Sequence, residues 1–274
     1  MVLPTDVVTE AERGNLEFVR TWINNQPDGG REYIDDRDEY GMTLLLASCS
    51  PIPRSSVQRV ALARLLLSLG ADVNICAADV FDDHLGRTSP LHEAAHWALI
   101  NPEMLHLILE AGGNVKARIL SGLGYIETPL ASLLRIQGNM PHLAAFHHLP
   151  GVVAALLRAG AELDDISVRC QAGSQYQSAE ALLHRIEHVF PSVGSNEDFI
   201  KVKAYVHGVR SAGSWKSYAR HAHKDVCAVR GLVTRGFLAP PGGGSEYDRA
   251  LAFLVGLGDN GVVWNVLSYW RGNK

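Results

Sequence analysis

The sequence predicts an all-α protein made of stacked helix pairs, and three observations support that prediction. Apolar residues recur with helical spacing through most of the 274 residues. Several of these segments end in glycine, which is typical of the end of a helix. Two short strings of residues also recur in a fixed order, which indicates an internal structural repeat.

The first recurring string is a hydroxyl residue followed by a short run of apolar and small residues. It occupies three ranges, Thr43–Cys49, Ser89–Ala95 and Thr128–Leu134. The hydroxyl suits the N-cap of a helix, and a proline directly after it suits the first turn. Each occurrence therefore predicts the start of a helix whose small residues allow close packing.

The second recurring string ends an apolar helix with glycine and then places Asp or Asn beside an aliphatic residue. It occupies Leu62–Ala77, Leu105–Arg118 and Leu156–Asp165. Gly70, Gly112 and Gly160 each lie where the helix is expected to end. An earlier pair is predicted in AERGNLEFVRTWI, with Ala11 and Gly14 at its corner.

The strings SPLHEAA and LLLSLGADVN resemble the T-P-L-H-x-A-A and L-L-x-x-G-A-D-V-N strings of ankyrin repeats. The resemblance implies an ankyrin-repeat solenoid of helix-turn-helix pairs with hairpin fingers, with about four repeats in residues 1–165. The spacing from Thr43 to Ser89 is 46 residues and from Ser89 to Thr128 it is 39, against about 33 in the family. Long inter-repeat loops and an insertion over residues 137–150 are therefore expected.

Residues 166–274 lose the recurring strings but keep the helical periodicity. Helices are predicted over Ser178–Phe190 and Ser195–Val209, and Ser195 with Asp198 is predicted to form a capping box. Together these helices have the size of a degenerate fifth repeat. Further apolar-periodic segments follow, so the rest of the chain is expected to be a helical C-terminal cap on the solenoid.

The net charge of −4 is unevenly distributed. Residues 1–165 hold 12 Lys and Arg against 21 Asp and Glu, whereas residues 166–274 hold 13 against 8. This division indicates either two surfaces for different partners or chance variation of solvated faces. The stretch Lys201–Arg235 is basic, but the negative overall charge and the lack of a binding motif disfavour nucleic acid as a partner.

No apolar run approaches the roughly 18 residues that predict a transmembrane helix. The N-terminus has acidic residues where a signal peptide needs a basic start and an apolar stretch. We therefore expect no membrane span, an intracellular location, cytoplasmic or nuclear, and cysteines in the reduced form.

The sequence predicts no enzyme, cofactor or metal. It contains no G-x-S-x-G or P-loop string, and the histidine pair of HRIEH, His184 and His188, lacks the glutamate of the metalloprotease pattern. The 12 histidines leave one alternative open, an enzyme that uses a histidine cluster. That alternative predicts stoichiometric metal in the purified protein.

The resemblance implies a scaffold or interaction module that holds a partner protein in its concave groove and on its fingers. Exposed aromatic, Arg, His and Glu side chains on fingers and inner helices are the predicted contacts. These are Arg37, Tyr40, Phe81, His84, Arg87, Glu93, His96, Trp97, Arg118 and Tyr125. The alternative function is a substrate-recruiting adaptor of a ubiquitin ligase, in which the C-terminal helices dock the ligase.

Overall fold

The structure is a computed structural model, and it describes residues 2–50, 56–77, 88–99, 102–120, 125–139, 146–164, 166–169, 176–221 and 235. These residues are mostly helical, and their strands are short. The predicted all-α class is thus confirmed at the level of secondary structure. None of the helices in these ranges is long and apolar enough to span a bilayer.

Eleven α-helices occur in the described part of the chain. They are α1 (Thr5–Glu12), α2 (Leu16–Asn24), α3 (Leu44–Cys49), α4 (Ser56–Ser68), α5 (Pro90–Trp97), α6 (Pro102–Glu110), α7 (Pro129–Asn139), α8 (Leu149–Arg158), α9 (Ala179–Val189), α10 (Glu197–Ala212) and α11 (Trp215–His221). Short 3₁₀ helices at Pro27–Tyr33, Phe146–His148 and Pro191–Ser195 join some of them.

The helices up to α9 form two rows. In the first row α1, α3, α5, α7 and α9 each contact the next, and in the second row α2, α4, α6 and α8 do the same. Contacts within the pairs α1–α2, α3–α4 and α5–α6 join the rows. Helices α3, α4, α5 and α6 therefore each contact their own pair and the pairs on either side.

The helix starts follow from hydroxyl and amide side chains that accept backbone hydrogen bonds. Thr43 accepts from the Leu46 N–H at 3.2 Å, Ser89 from the His92 N–H at 3.3 Å and Ser178 from the Ala181 N–H at 3.3 Å. Each bond satisfies a donor that has no partner within the helix. The capping residues predicted at Thr43 and Ser89 are therefore confirmed, and Ser178 caps α9 in the same way.

The second-row helices α4, α6 and α8 end with the same backbone hydrogen bond. Beyond α4, the Ala71 N–H donates to the Leu66 carbonyl at 3.1 Å while Gly70 has φ of 101°. The same closing bond runs from the Gly113 N–H after α6 and from the Ala161 N–H after α8. This is the Schellman arrangement, in which glycine takes the left-handed conformation and the chain turns away from the helix axis.

Two hairpins lie beside one another and form one antiparallel sheet in the order β1 (Ile119–Leu120), β2 (Tyr125–Glu127), β3 (Ser167–Arg169) and β4 (Tyr176–Gln177). The register across the middle pairs Ile126 with Val168. The Thr128 N–H also donates to the Ile166 carbonyl at 2.9 Å. The hairpins before α7 and before α9 are thus joined to each other by backbone hydrogen bonds.

The core lies between the two rows of helices. Its largest fully buried side chains are mostly leucines, and every residue of α3 is buried. The members are Phe199, Leu44, Leu45, Leu46, Leu62, Leu66, Leu91, Leu105, Ile108, Leu130, Leu133 and Leu134. Burying each side chain stabilises the fold by roughly 1.5–3 kcal/mol before chain entropy is counted.

The contacts divide the chain into two compact units, Met1–Val206 and His207–Lys274. Helix α9 and the first part of α10 belong to the first unit with the two rows. The predicted capping box at Ser195 is wrong, because α10 is capped by Asn196. The Asn196 side chain accepts from the Asp198 N–H at 3.0 Å and the Phe199 N–H at 3.1 Å, while the Ser195 hydroxyl donates to the Ser192 carbonyl.

Candidate functional site

The structure describes seven of the ten predicted contact residues. Phe81, His84 and Arg87 lie outside the described residues. Arg37 and Tyr40 lie on the connection between the first 3₁₀ helix and α3. Arg118 directly precedes β1, and Tyr125 is the first residue of β2. The other three belong to one helix, α5.

The connection that carries Arg37 and Tyr40 is held by Asp38. The buried Asp38 carboxylate accepts from the backbone N–H groups of Tyr40 and Met42, both at 2.9 Å. The Leu3 N–H donates to the Arg37 carbonyl at 2.9 Å, which fixes the loop to the N-terminus. The Arg37 side chain is exposed, and Tyr40 is exposed over 65% of its surface. A large aromatic side chain is thereby presented to solvent on an ordered turn.

Helix α5 brings Glu93, His96 and Trp97 together. Its buried positions include Leu91, Ala94 and Ala95, whereas these three side chains are only partly buried. Residues three and four apart lie on the same face of a helix. The face that carries the three polar and aromatic side chains is therefore the less buried one.

Few interactions among the described residues offset the partial burial of the Glu93 carboxylate. Its Oε1 accepts one hydrogen bond, from the Thr88 hydroxyl at 2.8 Å. Burial raises the pKa of this carboxyl, and among the described residues no basic side chain forms an ion pair with it. An unpaired, partly desolvated carboxylate of this kind attracts a cation.

The His96 and Trp97 rings lie parallel, with centroids 4.9 Å apart and planes 9° from each other. Burial lowers the pKa of His96, so the imidazole is neutral at physiological pH. The Trp97 Nε1–H is covered, and none of the described residues supplies a hydrogen-bond acceptor for it. The pair gives α5 a flat aromatic surface beside the Glu93 carboxylate.

A buried ion pair lies next to α5, at the base of the hairpins. The Arg135 Nε donates to the Glu127 Oε2 at 2.6 Å, and each side chain is only 6% exposed. The Ser132 hydroxyl donates to the Glu127 Oε1 at 3.0 Å, and Arg135 also donates to the Ser167 hydroxyl. The guanidinium carbon lies 3.5 Å from the centre of the Tyr125 ring. Tyr125, predicted as a partner contact, thus has an internal cation–π partner.

His92 connects this region to the start of α5. Its Nε2 lies 3.1 Å from the Glu127 carbonyl oxygen, which can only accept, so Nε2 carries the proton. The Nδ1 then accepts from the Ser89 hydroxyl at 2.7 Å. Burial lowers the pKa of His92 to about 4, in agreement with a neutral ring. The network from Ser89 to Ser167 therefore has a structural role.

Sequence reasoning missed Glu127 and Arg135. The available signal was an arginine within the apolar run LASLLRI of α7, on a helix whose other residues predict burial. A buried arginine needs an acid nearby. Glu127, directly before the capping Thr128, is the acid that the hairpin supplies.

No group of three or more His, Cys, Asp or Glu in the described ranges is placed to hold a metal ion. His184 and His188 are both exposed on α9. Burial raises the pKa of the Cys49 thiol to about 12, which leaves it protonated and weakly nucleophilic at neutral pH.

Models of known protein families include none that matches this chain, and no curated protein matches it. The side chains on the less buried face of α5 can hold a ligand by charge and by aromatic contact. It can also present exposed groups such as Tyr40 and Arg118 on the connections and hairpins beside the first row of helices.

Proposed function

We propose that the chain is an interaction protein of the ankyrin-repeat type, which binds a partner protein and catalyses no reaction. The partner lies along the first-row helices and the adjoining connections and hairpins of residues 31–127. A stack of helix pairs supplies an extended binding surface because each pair contacts only its neighbours.

The repeated helix starts and ends support the assignment to ankyrin repeats. A hydroxyl cap precedes α3, α5 and α9, and the Schellman arrangement follows α4, α6 and α8. The two rows of helices agree with the helix-turn-helix pairs that the resemblance implies. Two neighbouring hairpins, at β1–β2 and β3–β4, correspond to the expected fingers.

The less buried face of α5 is the observation that carries the proposal. Leu91, Ala94 and Ala95 account for the packing of this helix. Glu93, His96 and Trp97 are only partly buried, and they combine two aromatic rings with a carboxylate that pairs with no basic side chain of the described residues. Aromatic side chains at a surface are typical of protein-binding sites, where they contribute much of the binding energy.

The adaptor alternative depends on C-terminal helices that mostly lie outside the described residues. Helices α10 and α11 carry exposed basic side chains at Lys201, Arg210 and Lys216, but nothing observed there favours a ligase over another partner. We therefore propose one function, binding by the first-row face.

The test is affinity purification from the native cell with the full chain as bait, followed by identification of the captured proteins. The wild type is compared with Tyr40→Ala and Trp97→Ala. His106→Ala serves as the control, since His106 is exposed on the second-row helix α6. A specific partner is expected with the wild type and the control and is expected to be lost or strongly reduced with the two test variants.

Thermal unfolding followed by circular dichroism shows whether each variant still folds. Tyr40→Ala matters most for this purpose, because a side chain 65% exposed contributes little to the core. If folded Tyr40→Ala and Trp97→Ala proteins both capture the same partners as the wild type, the first-row face is not the binding surface.

A further inference from the structure

The α5 face has a chemistry that points to a particular kind of ligand group. Glu93, His96 and Trp97 are one helical turn apart on the same side of α5. The face therefore places a carboxylate and an aromatic surface within reach of one long side chain of a partner.

The carboxylate of Glu93 favours a cation. Its one hydrogen bond leaves most of its acceptor capacity unused, since an ionised carboxylate has about four lone-pair sites. Burial opposes the charged form, and no basic side chain in the described ranges offsets that effect. A lysine or arginine from a partner would supply the missing ion pair at a site that is already partly desolvated.

The aromatic pair favours the same kind of group. A cation is attracted to the face of an aromatic ring, most strongly to that of tryptophan. The parallel His96 and Trp97 rings provide such a face. Because burial lowers the pKa of His96, the neutral imidazole does not repel an incoming cation.

The Trp97 Nε1–H favours a ligand that also supplies a hydrogen-bond acceptor. No described residue accepts from this donor, and a buried donor without a partner lowers stability by about 1–3 kcal/mol. A backbone carbonyl of a bound peptide is a suitable acceptor. The indole nitrogen is covered, so a small change of side-chain rotamer is needed, as is common when proteins bind.

The charge of the surrounding unit agrees with a basic ligand. Residues 1–206 contain 16 Lys and Arg against 25 Asp and Glu, a net charge of −9. Such a charge raises the rate of encounter with basic partners and disfavours acidic ones. Local chemistry and long-range attraction therefore favour the same class of ligand.

We infer that the face formed by Glu93, His96 and Trp97 binds a lysine or arginine side chain of a basic peptide segment in the partner protein. The carboxylate pairs with the cationic group, the ring faces contact it, and the Trp97 Nε1–H donates to a peptide carbonyl. This inference rests on the proposed function and specifies the partner of the same surface.

The inference is tested with a fluorescent oligo-arginine peptide, whose binding to the full-length protein is followed by anisotropy at physiological ionic strength. A peptide of the same length in which citrulline replaces arginine removes the charge and keeps the shape. Glu93→Gln is the test variant, and its amide can still accept from Thr88. Glu110→Gln is the matched control, because Glu110 is exposed on the second-row helix α6 and the same charge is lost.

The wild type is expected to bind the arginine peptide and not the citrulline peptide. Glu93→Gln should weaken binding about ten-fold or more, since a partly desolvated ion pair is lost. Glu110→Gln should weaken it less than about three-fold, as expected for an exposed charge. In ¹⁵N NMR spectra, the indole N–H signal of Trp97 should shift on addition of the arginine peptide.

Equal weakening by the two substitutions overturns the inference, because net charge would then account for all of the attraction. A wild type that does not bind the arginine peptide, or an unshifted Trp97 signal, overturns it as well. The proposed function has a separate outcome. If the cellular partner is lost with Trp97→Ala and kept with Glu93→Gln, partner binding stands and the cation site is wrong.

Discussion

Glu127 and Arg135 show how single residues join elements that are distant in the sequence. Glu127 ends strand β2, Arg135 lies on α7, and Ser167 starts strand β3. Removing two charges from water is unfavourable unless the geometry satisfies both groups. Here each carboxylate oxygen accepts a hydrogen bond, and the guanidinium has the Glu127 carboxylate, Ser167 and the Tyr125 ring as partners.

Arg135→Met is predicted to lower the free energy of unfolding by about 3–5 kcal/mol, because it leaves the Glu127 carboxylate buried without its cation. Urea unfolding measures this loss. The matched control is Lys116→Met, which removes an exposed ion pair with Glu162 and should cost less than about 1 kcal/mol. Similar losses of unfolding free energy for the two variants would mean that the buried pair is well solvated and stabilises the fold no more than an exposed pair does.

At this scale the sequence predicts residues whose role depends on near neighbours. Ser89 and Thr43 were predictable because an N-cap bonds to a backbone group three residues along the chain. The pairing of Glu127 with Arg135 was not, because it depends on how a hairpin folds back onto α7. Trp97 was predicted as a contact from its residue type, whereas coordinates were needed to find that no described residue accepts from its Nε1–H.

Two adjacent glycines at the end of α6 have different physical roles. Gly112 has φ of 90°, and a Cβ added there would meet nothing within 4 Å. Gly113 is restricted by steric contact instead, because a Cβ there would lie 2.9 Å from the Ile108 carbonyl oxygen. The first glycine is needed for its backbone conformation and the second for close approach to the helix end.

Gly113→Ala is therefore predicted to destabilise the protein more than Gly112→Ala. Gly112→Ala costs about 1–2 kcal/mol, which is the penalty for a left-handed alanine. Gly113→Ala must displace the Ile108 backbone carbonyl, which accepts the Gly113 N–H hydrogen bond, so the helix end itself has to shift. Thermal unfolding of both variants gives the order. A smaller loss for Gly113→Ala would show that the end of α6 adjusts easily.

At the scale of elements, the sequence predicted helices well because their starts and ends are local. The corrected cap of α10 is instructive, since Ser195 and Asn196 are both good capping residues in the same stretch. The preceding 3₁₀ helix, Pro191–Ser195, engages the Ser195 hydroxyl and leaves Asn196 to cap α10. The conformation of the preceding residues therefore decides which of the two side chains caps α10.

Across the unit Met1–Val206, each helix pair contacts mainly the pairs on either side. In such an arrangement stability is close to a sum of local terms, and the ends open more readily than the middle. Phe199 is fully buried near the end of the unit, and Leu91 is fully buried near its centre. Substitutions at these two positions can therefore distinguish local unfolding at the end of the unit from unfolding of the whole unit.

Phe199→Ala is predicted to lose about 3–5 kcal/mol of packing energy, confined mostly to α9 and α10. Native-state hydrogen exchange should show faster exchange in these helices and nearly unchanged exchange in α3 and α5. Leu91→Ala, the comparison variant, should accelerate exchange in α3, α5 and α7 together. Uniform acceleration over residues 2–206 by Phe199→Ala would instead indicate one fully cooperative unit.

At the whole-molecule scale, the sequence predicted the mostly helical class from periodicity, which is independent of long-range contacts. The predicted division at residues 165 and 166 was placed where the recurring strings fade. The first compact unit extends to Val206 and so includes α9 and part of α10. Loss of a sequence signature and loss of contact are different events, because Leu182, Leu183 and Ile186 continue the core after the signature has weakened.

The shared sheet of the two hairpins has a consequence for the thermodynamics of recognition. Tyr125–Glu127 and Ser167–Arg169 restrain each other through backbone hydrogen bonds, so neither hairpin samples the range of an isolated loop. Most of the conformational entropy of these segments is then lost when the chain folds, before any partner arrives. Association at a preorganised surface loses less entropy and dissociates more slowly than association at a flexible one. For the proposed partner, the short sheet is therefore expected to lengthen the residence time of the complex.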